Sequence, residues 1–228
     1  MKTVFIKYMT VVLLFEVLSS AQSLPKYKTV LNSETVKSDT IFLWNGKNLD
    51  GLKLILNKAN PKVESPYFVK EGVIHFFDTQ VGYFLTDEIF ENYVLHAEWR
   101  WPEKNEKGNS GILLDVQLPD TVWPQCIQVQ LKQQNAGDFI AMNGAKIIND
   151  GKIYSETIKK INDPSEKPEG DWNEADIICK GNSIEVMING CLQNKGEKVN
   201  LNKGRIGFQL EGKAIEFRNI FLVRPIGI

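Results

Sequence analysis

Helical periodicity is nearly absent from this chain. Glycine, asparagine and β-branched residues recur every few positions, so no stretch sustains an apolar stripe at helical spacing; TDEIFENY at 86–93 suffices for one turn at most. Histidine is scarce. His75 and His96 are far apart, and no His/Cys group has the spacing of zinc ligands, so no metal site is predicted from spacing. An excess of charge of one sign is missing as well: the formal net charge is −1, which gives nucleic acid or an anionic lipid surface nothing to recognise. No apolar run is long enough to cross a bilayer, so no membrane span is expected. Internal repeats and low-complexity tracts are lacking. The cysteines number three, too few and of the wrong parity for a disulfide framework. Two-residue turns at Gly181-Asn182 and Asn189-Gly190 would set Cys179 opposite Ile184 and Cys191 opposite Ile188, which predicts buried free thiols.

What is present begins with an N-terminal export pattern. Lys2 and Lys7 precede an apolar run from Tyr8 to Leu18, broken by Glu16, and Ser19-Ser20-Ala21 supplies small residues for cleavage. Residues 1–21 are therefore expected to be a signal peptide, 22–39 a polar leader, and 40–228 one domain, secreted or periplasmic. A chain of 228 residues is long enough for one sizeable sandwich.

The domain reads as about a dozen short strands separated by Gly, Asn and Pro signals, which indicates an all-β sandwich of two antiparallel sheets. In YVLHAEWRW, Tyr93, Leu95, Ala97, Trp99 and Trp101 fall on one face, and His96, Glu98 and Arg100 on the other. In GILLDVQL, Ile112, Leu114, Val116 and Leu118 oppose Leu113, Asp115 and Gln117. In QCIQVQLK, Ile127, Val129 and Leu131 oppose Gln128, Gln130 and Lys132. Side chains alternate across a strand, so one face is buried and the other carries carboxylates, a guanidinium and amides. That set, flanked by tryptophan, suits a sugar. Glu98 and Arg100 are expected to pair, Glu98 serving as a base or hydroxyl acceptor or the two forming a surface ion pair. Asp115, Gln128 and Gln130 would extend the same face. His96 shares the row, either as a proton carrier or as a structurally satisfied side chain. Trp101, Trp123 and Trp172 sit at strand ends or in loops where an indole can stack on a pyranose, and Trp123 is expected at the rim of a cleft; Trp44 and Trp99 read as core. Lys132 and Asp138 are further candidates for that cleft. Asp163, Glu166 and Glu169 form an acidic loop that is either solvated or a calcium site.

Six motifs occur in order: LWNGKNLDGL, YVLHAEWRW, GNSGILL, WPQCIQVQLKQQNAGDF, DWNEADIICKGNSIEVMINGCLQN and RIGFQLEGKAIEFRNIFLV. Together they resemble the 3-keto-disaccharide hydrolase domain family of mostly secreted bacterial proteins, over roughly residues 40–225. The resemblance implies a concanavalin A-like jelly roll. The chain departs from the family pattern at Leu52, where the family has Trp, at Gln128, where it commonly has Glu, and at Gln209-Leu210-Glu211-Gly212, which replaces a QDHG-like closing segment. An amide at 128 cannot exchange a proton as a carboxylate does.

Three functions follow. The resemblance implies a hydrolase or lyase on 3-keto-glycosides: a C3 ketone acidifies the C2 proton, a base removes it, and the C1 substituent leaves. Glu98 is then expected as base or orienting carboxylate, Arg100 and Gln130 around the enolate oxygen, and Asn109, Gln128 and Gln209 among the groups binding substrate. Asn109 is equally explained by turn chemistry before Gly111. No cofactor is predicted, although a divalent metal could act as Lewis acid. The alternative is a non-catalytic carbohydrate-binding module or lectin on the same fold, which Gln128 favours. Third is a two-carboxylate glycosidase using Glu98 and Asp115, for which the chain lacks an E-x-D-x-E strand.

Overall fold

The computed structural model describes residues 37–57, 66–77, 81–102, 108–211 and 213–226. The signal-peptide pattern at 1–21 and most of the 22–39 leader lie outside these residues; positions 37–39 begin the first strand. Among the described residues every regular element is a strand.

A seven-stranded antiparallel sheet runs in the order β12 (Thr157–Ile158), β9 (Phe139–Met142), β8 (Cys126–Gln130), β7 (Gly111–Val116), β16 (Arg205–Glu211), β5 (Val81–Thr86) and β2 (Leu52–Leu56). A ten-stranded sheet packs on it, ordered β11 (Lys152–Tyr154), β10 (Ile147–Asn149), β15 (Cys191–Lys198), β14 (Ser183–Ile188), β13 (Asn173–Lys180), β6 (Tyr93–Arg100), β17 (Ile215–Ile226), β4 (Val73–Phe76) and β3 (Tyr67–Lys70). Its remaining strand, β1 (Lys37–Phe42), pairs with the far half of β17. The predicted sandwich of two antiparallel sheets is thus the observed architecture, and it is a jelly roll.

Alternation explains the core. Tyr93, Leu95, Ala97 and Trp99 of β6 face inward, as do Ile127 and Val129 of β8 and Ile206, Phe208 and Leu210 of β16. Phe84 lies at the centre, stacked on Phe76 at 5.2 Å and on Phe208 at 4.8 Å, with the edge of Phe217 at 5.5 Å. The turn reading holds: Cys179 pairs with Ile184 and Cys191 with Ile188. All three thiols are free, but Cys191 is exposed rather than buried.

Three bulges break the alternation among the described residues; one lies on β15, where Val186 pairs with Asn194 but Met187 with Leu192. On β7, Val116 pairs with Arg205 but Leu113 with Gly207, so one extra residue is inserted, and Asp115 takes φ +55. Asp115 consequently turns into the sandwich, while Val116 joins Leu113 on the outside. The expectation that Val116 and Leu118 line the core is corrected here; Leu118 is 76% exposed. On β17 the register slips between Arg218 and Phe221, with Asn219 at φ +50.

A smaller apolar cluster lies on the outer side of the seven-stranded sheet: Tyr83, Leu85, Leu113, Val116 and Cys126. The loop of residues 117–125 is fastened beside it. The Tyr83 hydroxyl donates to the Thr121 carbonyl at 2.8 Å, and Asp120 accepts from Lys53 and from Arg205.

Candidate functional site

The polar residues expected to form one face are divided between the two outer faces of the sandwich. Stacked sheets stand roughly 10 Å apart, so side chains on their outer faces cannot reach one small ligand. His96, Glu98 and Arg100 belong to β6 of the ten-stranded sheet, whereas Gln128, Gln130 and Gln209 belong to the seven-stranded sheet.

On the ten-stranded sheet the polar row is an ionic ladder. Glu98 accepts from Arg218 Nε and Asn219 Nδ2, each at 2.6 Å, and lies 3.8 Å from His96 Nε2. His96 Nδ1 meets Asp176 at 2.7 Å. Arg100 pairs with Glu216 rather than with Glu98, and Glu216 also holds His75. Trp172 spans Arg100 and Arg218, with the guanidinium carbons 4.7 and 4.0 Å from its ring centroid. Burial alone would raise the Glu98 carboxyl, but hydrogen bonds from His96, Asn219 and Arg218 outweigh it and hold Glu98 at about 2. Burial would lower His96, yet its bonds to Asp176 and Glu98 bring it up to about 9. A carboxylate held that low is a poor base, and each of its oxygens already accepts a hydrogen bond.

These shifts set the stability profile. Glu98 is depressed on folding, so its contribution is present above about 4.5 and fades as pH falls through about 2. His96 is raised, so its contribution is complete below about 6.5 and fades as pH rises through about 9. We expect the unfolding free energy to be greatest between those limits and to decline above neutrality. In His96→Gln the alkaline decline should be shallower in urea titrations across pH; an unchanged decline would show that His96 does not cause it.

On the seven-stranded sheet the polar row is a chain of amides. Gln128 on β8 reaches across the middle strand β7 to Gln209 on β16, its Nε2 donating to Gln209 Oε1 at 2.9 Å. The crossing is possible because Gly111 lies beneath it: a Cβ there would stand 2.5 Å from the Gln128 amide nitrogen. The other Gln128 amide proton goes to Gln130 Oε1 at 3.3 Å, and that oxygen also accepts from the backbone N–H groups of Leu131 and Lys132. Gln209 Nε2 donates to Glu211 Oε2 at 2.7 Å, and Asn109 Nδ2 donates to the same oxygen at 2.6 Å. Glu211 is therefore the carboxylate at which the row ends. Burial pushes its carboxyl up, opposed by the charge of Lys132 and the bond from Gln209. Asn109 Oδ1 is buried with no partner.

The remaining expected residues separate in the same way. Asp115 sits between the sheets against Lys198, outside either polar row, because the β7 bulge rotated it inward. Glu98 and Asp115, which a two-acid glycosidase would use together, are thus on an outer face and in the interior. Asp138 is buried, accepting from Lys159 Nζ and the Lys160 backbone N–H, both at 2.9 Å, and so fixes the chain after β12. Lys132 is exposed and close enough to Glu211 to influence it. Trp123 is 45% exposed on the 117–125 loop, whereas Trp101 is core and unavailable for stacking. In the acidic loop, Glu166 accepts from the Gln134 backbone and Glu169 from the Gln133 side chain. Among the described residues no three His, Cys, Asp or Glu side chains are grouped to hold a metal ion. The sequence reading named Glu211 only within the closing segment and gave it no catalytic role; its position two residues from Gln209 on one strand, hence on the same face, was the available signal.

The fold recurs in carbohydrate-active proteins. A proposed glycosyl hydrolase from Parabacteroides distasonis superposes with a TM-score of 0.56 at 20% identity, covering 82% of this chain and 94% of that one. A carbohydrate-binding module from Bacillus subtilis gives 0.55 at 8% identity, covering 76% and 96%. The β-glucanase of Bacillus licheniformis gives 0.52 at 10% identity, covering 84% and 99%. At these identities the likeness is one of fold. No curated protein matches the sequence. A family profile, in contrast, matches residues 39–223, most of the chain, and by that match the protein belongs to the 3-keto-alpha-glucoside-1,2-lyase-like domain family.

Proposed function

We propose that the outer face of the seven-stranded sheet binds a 3-keto-glycoside and that Glu211 removes the C2 proton, with loss of the C1 substituent. The observation that carries this reading is the amide row from Gln130 through Gln128 and Gln209 to Glu211 and Asn109. It ends in one carboxylate whose proton affinity burial has increased, as a base requires.

The donors and acceptors can be assigned from their unused capacity. An amide nitrogen carries two protons. Asn109 and Gln209 each give one to Glu211 Oε2, which leaves each a second for the enolate oxygen that forms as the C2 proton departs. Asn109 Oδ1, buried and unpartnered, takes a sugar hydroxyl. Gln128 has both protons committed to Gln130 and Gln209, so it holds the row in place rather than touching the reacting atoms. Lys132, whose charge acts on Glu211, is the group we assign to protonate the leaving oxygen. Loss of the substituent gives the lyase product, and water addition gives net hydrolysis. The export pattern at residues 1–21 supports action outside the cytoplasm.

The test is aryl release from an aryl 3-keto-glucoside and from its unoxidised parent, with and without a divalent metal. Release from the ketone alone is expected. Equal release from both substrates would overturn the C2-proton mechanism. A second reading, a sugar-binding module without turnover, is favoured by the amide at Gln128. Unchanged sugar affinity without turnover in Gln128→Glu would support it, whereas turnover gained by that substitution would indicate a decayed enzyme.

A further inference from the structure

The interior holds a polar contact that the carbohydrate face does not use. Lys198 on β15 of one sheet and Asp115 on β7 of the other meet with Nζ 2.7 Å from Oδ2. Both are buried, at 2% and 0% exposure. The bulge aims Asp115 inward, and its backbone has no room to retreat: a Cβ on Gly204 would stand 2.4 Å from the Asp115 carbonyl carbon. Lys198 is likewise held inside by its backbone N–H, which donates to the Asn182 carbonyl at 2.7 Å. The second oxygen of the carboxylate, Asp115 Oδ1, is buried without a partner.

We propose that Lys198 and Asp115 condense into an intramolecular amide that ties the two sheets together covalently. In water an amine and a carboxylic acid stay apart because both are ionised and hydrated. Here hydration is gone, and burying ions carries a desolvation penalty that a neutral amine and acid escape. Burial does push the Asp115 carboxyl up, against the pull of Lys198. Proton transfer along the existing hydrogen bond gives –NH2 and –COOH. The Nζ lone pair then attacks Cγ, a C–N bond forms, and one carboxyl oxygen leaves. It departs as water, carrying the acid proton and one proton from Nζ. Atoms balance with no oxidant or co-reactant. Fixing the two groups at contact distance supplies an effective molarity on the order of 10⁵ M or more when geometry is favourable, far above that of water.

The experiment is intact-mass measurement of the purified, denatured chain, followed by tryptic mapping. The expected mass is about 18 Da below that of the sequence, one water lost, since a covalent modification survives denaturation. Trypsin should fail to cut after Lys198, and a branched peptide should join the segments carrying Asp115 and Lys198. In Lys198→Arg, which keeps the cation but cannot form this bond, the mass should return to the sequence value. A full sequence mass with cleavage after Lys198 overturns the proposal. So does a lighter mass that maps to a cyclised Asp115 alone or that persists in Lys198→Arg. The wild-type measurement decides the matter even if the variant does not fold.

Discussion

Glu211→Gln should lower aryl release from a 3-keto-glucoside by about 10²- to 10⁴-fold, the usual worth of a positioned base. The substitution is isosteric, and the new amide can keep one oxygen in place to accept from Asn109 and Gln209. What it cannot do is take a proton from carbon. Sugar affinity should change far less than turnover, because the hydroxyl-binding groups remain. The same change at Glu98 should leave turnover near that of the wild type and act on stability instead, since Glu98 lies on the opposite outer face, tied to Arg218 and Asn219. The wild-type rate should also rise with pH through a value above the ordinary range for glutamate, following the upward push of burial on Glu211. Steady-state rates of the two variants on one substrate check this. Turnover that survives Glu211→Gln and is lost in Glu98→Gln would move the site to the ten-stranded sheet.

Phe84→Ala should cost about 3–5 kcal/mol of unfolding free energy, the range for removing a large aromatic from a packed core. Phe84 is fully buried and touches rings from both sheets: Phe208 beside it in its own, and Phe76 and Phe217 across the interior. Its loss would remove transferred area and leave a cavity that the two β-sheets, held by their hydrogen-bond ladders, close only in part. Ring–ring contacts add about 0.5–1.5 kcal/mol each beyond area. Phe42, at 71% exposure, provides the comparison. Phe42→Ala should shift stability by about 0.5 kcal/mol or less, as surface substitutions do. Urea unfolding of both variants measures the difference. A cost at Phe84 below that at Phe42 would mean that the stack does not hold the sheets together.

Much of this protein is legible in local pattern. The period-two rows of YVLHAEWR and CIQVQ appear as β6 and β8 with the expected inward residues. The GN and NG turns gave the observed pairings beside them, Cys179 with Ile184 and Cys191 with Ile188, although a bulge shifts β14 against β15 beyond Met187. Both signals act over a few residues, where sterics and turn dihedrals decide. The amide chemistry of the face was also legible, because side-chain type is given by the sequence. Sheet membership was not. Whether two polar rows share a face depends on pairings between residues distant in sequence, such as Gln128 crossing Gly111 to meet Gln209, while Glu98 is paired through Arg218 on the other sheet. Local pattern also cannot register a bulge: a single extra residue at Asp115 reverses inside and outside, sending a carboxylate into the core and Val116 out of it. The sequence by itself therefore determined the all-β class, the turns and the amide- and carboxylate-rich composition of the polar rows, all consequences of short-range geometry and residue type. Only the tertiary structure decided which polar groups stand together, because long-range strand pairing, not local alternation, brings Asn109, Gln128, Gln209 and Glu211 to one place.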